Sequence, residues 1–247
     1  MKGKIHQTYK DWNRCRTMIL LYLSKHNRNE LRFGMKYFES VVDSGLFRNL
    51  KKSDYINAFA QLTVTGKQYD DGEAVFLEGD VIDKICIVAR GSVRAEKTYR
   101  NGETHIIQVF DEGDLFGLEF SMSKTKKSAN DYISNGNSCI VFVSNNSIRK
   151  SDHASEIKTS LTFRLADDNI KMAKKIEILV ERGLRERILT YLNILTSKSG
   201  SNTVSVKMNR EQLAQFLCVN RSALSNELNK MKKEGIIDFK KDKFTIL

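Results

Sequence analysis

The chain has 247 residues, enough for one large or two ordinary domains, and its 40% hydrophobic content excludes a wholly disordered polymer. No stretch approaches the roughly twenty apolar residues needed to span a bilayer. The net charge of +11 points to a polyanionic partner such as nucleic acid.

Residues 1–50 read as largely helical. Met18, Ile19, Tyr22 and Leu23 form one apolar face, and Tyr37, Phe38, Val41 and Val42 another. Trp12 reads as a packing anchor, and the basic residues between Lys2 and Arg32 as a solvated helical face. Thr17–Leu23 is too short for a spanning helix and lacks a small-residue cleavage site, so no signal peptide is expected. Cys15, Cys86, Cys139 and Cys218 lie far apart, as expected of reduced thiols in a cytoplasmic protein.

From about Leu62 to Val143 the hydrophobic period changes to two. Ala74–Leu77, Lys84–Ala89, Ser92–Tyr99, His105–Phe110 and Ser138–Val143 read as short strands. Turn pairs divide them, among them Asp71-Gly72, Gly79-Asp80, Arg90-Gly91 and Gly113-Asp114. Asn101-Gly102 between alternating runs predicts a tight hairpin. Such regular turns predict a compact antiparallel roll or barrel.

Between about Glu156 and Val180 a helix is expected. Leu165, Asn169, Met172, Ile176 and Leu179 fall on an a/d seam over two to three heptads, a pattern that one face of a core helix would also show. Gly183 interrupts it and reads as a hinge; Leu184, Ile188, Leu189, Leu192 and Leu195 begin a second apolar stripe.

The most informative stretch is Asn209–Lys233. Leu213, Phe216 and Leu217 fall on one helical stripe, and Leu224, Leu228 and Met231 on another after a short break. Asn209 with Gln212 makes a capping box, Asn220 a second N-cap, and Ala214 a point of close approach. This is the pattern of a helix-turn-helix. The second helix would present Arg221, Ser222, Ser225 and Asn226, side chains suited to base edges. Cys218 falls in the turn, where glycine would be the easier residue. After Gly235, expected at the helix C-terminus, Ile237–Phe239 and Phe244–Ile246 alternate around a lysine turn. That is the wing of a winged helix, with Lys240, Lys241 and Lys243 placed for phosphate contact.

The glycine pattern Gly72, Gly79-Asp80, Gly91-Ser92-Val93, Asn101-Gly102 and Gly113-Asp114-Leu115-Phe116-Gly117, joined to the terminal winged helix, resembles the CRP/FNR superfamily of bacterial transcription regulators. The resemblance implies an α+β chain with an N-terminal antiparallel β-roll (a double-stranded β-helix) with flanking helices, a long dimerisation helix and a C-terminal winged helix-turn-helix. The corresponding divisions are a helical segment 1–46, an effector-type roll 47–155, a dimer helix and hinge 156–183, and a DNA-binding domain 184–247. It implies a homodimer on a pseudo-palindromic operator in double-stranded DNA, with RNA polymerase a candidate second partner.

In nucleotide-binding members of that family the turn after the last glycine supplies a glutamate for the ribose, and an arginine followed by serine or threonine for the phosphate. Here the candidate effector pocket comprises Gly117, Glu119, Lys127, Ser128 and Met172. Glu119 stands one place later than the pattern, and Lys127 replaces the arginine, lacking its bidentate fork. Met172 and Ala173 occupy the adenine-contacting positions. Cyclic AMP is therefore not expected. Nor is an iron–sulfur cluster, since Cys15 stands alone near the N-terminus, and the four histidines mark no haem ligand. The main alternative is a metabolite-sensing or protein-docking roll with secondary DNA contact. A cupin-like metalloenzyme would need more histidines around His105, so no enzyme is expected.

Overall fold

The computed structural model describes residues 37–247. The expectations for Trp12, Cys15, the Met18–Leu23 face and the basic run from Lys2 to Arg32 lie outside the described residues. The described chain opens with α1 (Phe38–Asp43), a 3-10 turn and α2 (Tyr55–Ala60). Tyr37 and Val41 are buried with Phe38 and Val42 packed beside them, the face their spacing predicts.

The strands β1 (Val64–Tyr69), β2 (Ala74–Phe76), β3 (Lys84–Thr98), β4 (Thr104–Asp111), β5 (Leu115–Phe116) and β6 (Asp131–Ser144) form one antiparallel sheet. Its order is β1-β6-β3-β4, with β2 added on β6 and β5 on β3. The first half of β3 is buried on both faces. Cys86 and Val88 face a roll interior with Phe116, Tyr132 and Ile140. Ile85 and Ile87 face a second core built with Val41, Phe47 and Phe59. Burial on both sides is why this run is continuously apolar rather than alternating.

One expected boundary is corrected. The segments 84–89 and 92–99 form a single strand, and Arg90-Gly91 is a bulge within it, where the pairing with β6 shifts register. Gly91 has φ +82°, and a Cβ there would lie 2.6 Å from Ser138 Oγ and 2.8 Å from the Asn137 carbonyl oxygen. The glycine serves a bulge and a close approach, not a chain reversal. The last strand is also longer than expected, because pairing with β2 and β3 recruits Asp131–Asn137. The Asn101-Gly102 hairpin forms as expected, with Gly102 at φ +81°.

After β5 come α3 (Leu118–Ser121), then β6, α4 (Asn145–Lys150) and the 27-residue α5 (Ala154–Val180), about 40 Å long. Ile157 and Leu161 of α5 enter the core beneath the roll, and Ile178 enters the C-terminal core. Midway, Arg164 pairs with Asp114 at 2.5 Å and Asp168 at 3.3 Å. Burial raises the Asp114 carboxyl, but the Arg164 bond, with backbone help, brings it below its ordinary value. This pins α5 to the Gly113–Gly117 segment.

Gly183 has an extended φ of −102°, so no left-handed residue makes the break; it is the N-cap of α6 (Leu184–Ser199). Beyond lie β7 (Thr203–Ser205), α7 (Arg210–Phe216), α8 (Arg221–Lys233), β8 (Ile237–Lys240) and β9 (Lys243–Ile246). The strands form a small sheet in the order β7-β9-β8, with β7 an unanticipated third member. A third core of Ile188, Leu192, Leu213, Leu224, Leu228 and Phe244 unites these elements.

Candidate nucleic-acid interface

α7 starts on the expected capping box. The Gln212 backbone N–H donates to Asn209 Oδ1 and the Asn209 N–H donates to Gln212 Oε1, both at 2.9 Å. At the start of α8 the Ala223 N–H donates to Asn220 Oδ1 at 2.8 Å. Between the helices Cys218 takes φ +55°, the left-handed conformation glycine would adopt more readily. Leu213, Ala214, Leu217, Leu224, Leu228 and Met231 are all buried in the C-terminal core. α8 ends at C-cap Glu234, one residue before the expected Gly235. The N–H groups of Gly235 and Ile236 turn back to the Lys232 and Met231 carbonyls, with Gly235 at φ +71°. This is a Schellman closure.

With the apolar stripe turned inward, Arg221, Ser222 and Asn226 are exposed at the first turns of α8, and Ser225 is half-buried. The Ser222 hydroxyl donates to Asn220 Oδ1 at 3.0 Å, leaving its oxygen free to accept. No acidic residue occupies this first turn, so the positive helix terminus is not neutralised. Lys240, Lys241 and Lys243 are exposed at the wing tip, where Lys241 has φ +56°.

Sequence reading missed what holds the wing. The Arg210 guanidinium lies 5.0 Å and 4.7 Å from the Phe239 and Phe244 ring centroids and donates to the Lys241 carbonyl at 3.2 Å. It also missed Arg185, which pairs with Glu227 at 2.7 Å and Glu234 at 2.6 Å and ties α6 to α8. Nothing local in the sequence couples residues so far apart.

The candidate effector turn is arranged differently. Gly117 has φ +65° before the short α3. The Tyr132 hydroxyl donates to Glu119 Oε1 at 2.8 Å. Tyr132 itself is fully buried, its ring 5.2 Å from that of Phe116 and 6.1 Å from that of Phe110. Burial, with the Glu119 carboxylate beside it, holds the phenol well above its ordinary pKa. Lys127 is exposed, whereas Ser128 is buried and its hydroxyl donates to the Asn130 carbonyl at 2.5 Å. The two neighbours therefore point to different surroundings. Met172 is half-buried on α5, outside this turn.

Residues 66–151 match the cyclic nucleotide-binding domain family and residues 186–247 the Crp-like helix-turn-helix domain family; together they span more than half of the chain. The chain is 20% identical over 192 residues to the global nitrogen regulator of Synechococcus elongatus, covering 73% of this chain and 84% of that protein. It resembles FixK2 from Bradyrhizobium japonicum with a TM-score of 0.63 at 18% identity, over 75% of this chain and 93% of that one. For the c-di-GMP responsive global regulator CLP of Xanthomonas campestris the TM-score is 0.64 at 16% identity, over 77% and 97% of the two chains. The chain belongs to the CRP/FNR superfamily.

As a CRP/FNR-type transcription regulator it binds DNA through the winged helix-turn-helix described above. The five residues of the expected α5 seam differ in exposure. Leu165 packs against the core beneath the roll, Met172 and Leu179 are half-buried, and Asn169 and Ile176 are exposed. The apolar side chains left uncovered are Phe163 (50% exposed), Ile170 (57%), Ile176 (59%) and Val180 (70%). Among the described residues no helix is long and apolar enough to cross a membrane, and no cluster of candidate metal ligands occurs.

Proposed function

We propose that this CRP/FNR regulator acts as a homodimer on a pseudo-palindromic operator and that cyclic AMP does not control it. Its units are the roll (47–155), the dimer helix (156–183) and the DNA-binding domain (184–247). The observation that carries the homodimer is the uncovered stripe on α5. Phe163 and Ile170 stand seven residues apart, and Val180, ten residues further on, keeps to the same heptad seam toward the DNA-binding domain, with Ile176 flanking it. A second copy related by a two-fold axis offers the same stripe in return, the self-complementary arrangement of a coiled-coil pair. Asn169 then sits beside the seam.

Each α8 enters a major groove, with half-sites one helical turn, about 34 Å, apart. Arg221, Ser222 and Asn226 read bases, Ser225 lies at the edge of that set, and Lys240, Lys241 and Lys243 contact phosphate. Two features argue against cyclic AMP. Glu119, the ribose candidate, already accepts the Tyr132 hydroxyl. Lys127 is an exposed point charge without the fork that grips a phosphate in two places. The protein works in the cytoplasm, where operator and RNA polymerase are found, as a regulator rather than an enzyme.

The test is selection of bound sites from random duplex DNA at fixed near-physiological salt with no added ligand. A two-fold-symmetric motif is expected, and cyclic AMP should not alter it. An asymmetric single site, or enrichment only with the nucleotide, would overturn this reading.

A further inference from the structure

β4 is an edge strand, so carbonyls on its outer side have no strand partner. The last turn of α7 likewise leaves carbonyls without an intrahelical donor. Lys175, on α5, is 8% exposed and meets one carbonyl of each kind. Its Nζ donates to the Ile106 carbonyl of β4 at 3.3 Å and to the Phe216 carbonyl at the end of α7, and it lies 3.1 Å from the Phe216 ring centroid. No carboxylate pairs with it among the described residues.

Other contacts cross the same junction. Gln212 Nε2 donates to Asn135 Oδ1 of the roll at 2.6 Å, and Lys207 pairs with Asp111 at 3.1 Å. Val109 of β4 packs against the C-terminal core. Meanwhile Arg221, Ser222, Asn226 and the wing lysines stay exposed.

We infer that Lys175 is an interdomain latch: one buried cation that seats the first helix of the helix-turn-helix on the edge of its own roll and so holds the recognition helix in a DNA-competent orientation. The latch is a positioning device and touches no DNA. Because the docked state leaves the readout face open, docking pre-organises binding rather than blocking it. Its loss adds orientational freedom that DNA binding must then remove. The affinity consequence rests on the homodimeric reading above; the docking itself does not.

The test compares the full chain with Lys175→Met, which keeps the stem and removes the donors. Hydrogen exchange of backbone amides in 104–111 and 210–217 should rise at least tenfold, with the roll interior and α8 unchanged. Affinity for the selected operator should fall roughly tenfold, with the same base preferences and salt slope and a thermal midpoint no lower than wild type. A merely structural lysine would lower the midpoint and raise exchange throughout. Wild-type exchange, or affinity lost only in step with stability, overturns the latch. Asn135→Ala removes the Gln212 acceptor from the roll side and should loosen the same segments, so it carries the test if Lys175→Met does not fold. If the wild type selects no operator, the homodimeric reading fails while the exchange measurement still judges the latch.

Discussion

At the scale of single residues, the proposed interface divides side chains assigned to base readout from those assigned to phosphate contact. Arg221 is exposed at the start of α8, where a bidentate bond to a guanine edge is within its reach. Arg221→Ala should cost about 1–3 kcal/mol and relax preference at one base position. Lys241→Ala should weaken all sequences alike and reduce the salt slope by about one unit. Anisotropy titrations at several salt concentrations distinguish them, and identical behaviour of the two variants would refute the assignment. Lys175 makes a pH prediction. Burial pushes its ammonium down to about 7, with Cys218 the nearby titratable group. Between about pH 7 and the ordinary lysine value near 10.4, the unfolded chain binds more protons at this site than the folded one. Stability therefore gains from this group as pH rises through that window, and the burial penalty is complete below about 7. The difference between wild-type and Lys175→Met thermal midpoints should shift in favour of wild type between pH 7 and 9. A constant difference would show that the lysine is not held in this environment.

At the scale of elements, caps and bulges decide where the chain turns. The capping box at Asn209 was legible because both halves of its reciprocal bond lie three residues apart. Asn209→Ala should cost about 1 kcal/mol in thermal or denaturant unfolding. Gly91 was legible as a special position but not as a bulge, because the neighbour that forbids a side chain, Asn137–Ser138, lies far along the chain. Gly91→Ala should destabilise the roll by about 1–3 kcal/mol through backbone strain and that clash. A neutral effect would mean the bulge relaxes freely.

At the scale of the whole molecule, α5 links three functions: it enters the core under the roll, exposes an apolar stripe and carries Lys175 to the DNA-binding domain. A charge on the stripe tests the assembly directly. Ile170→Lys is exposed in one copy and should leave its fold intact, yet shift the protein to monomer in sedimentation velocity and weaken binding to a two-half-site operator more than tenfold. An unchanged dimer would move the interface elsewhere.

The sequence by itself determined the helix-turn-helix, its caps, the basic wing, the hairpin at Asn101-Gly102 and the succession of roll and long helix. Each depends on residues within a few positions of one another, where periodicity and side-chain chemistry act directly. Only the tertiary structure decided that two expected strands are one, that Leu165 turns inward while Phe163 and Ile170 turn out, and that Tyr132 occupies Glu119. It alone brought Lys175 to Ile106 and Phe216, 69 and 41 positions away. These outcomes depend on which surfaces other elements cover, and burial of that kind is settled by packing rather than by local pattern.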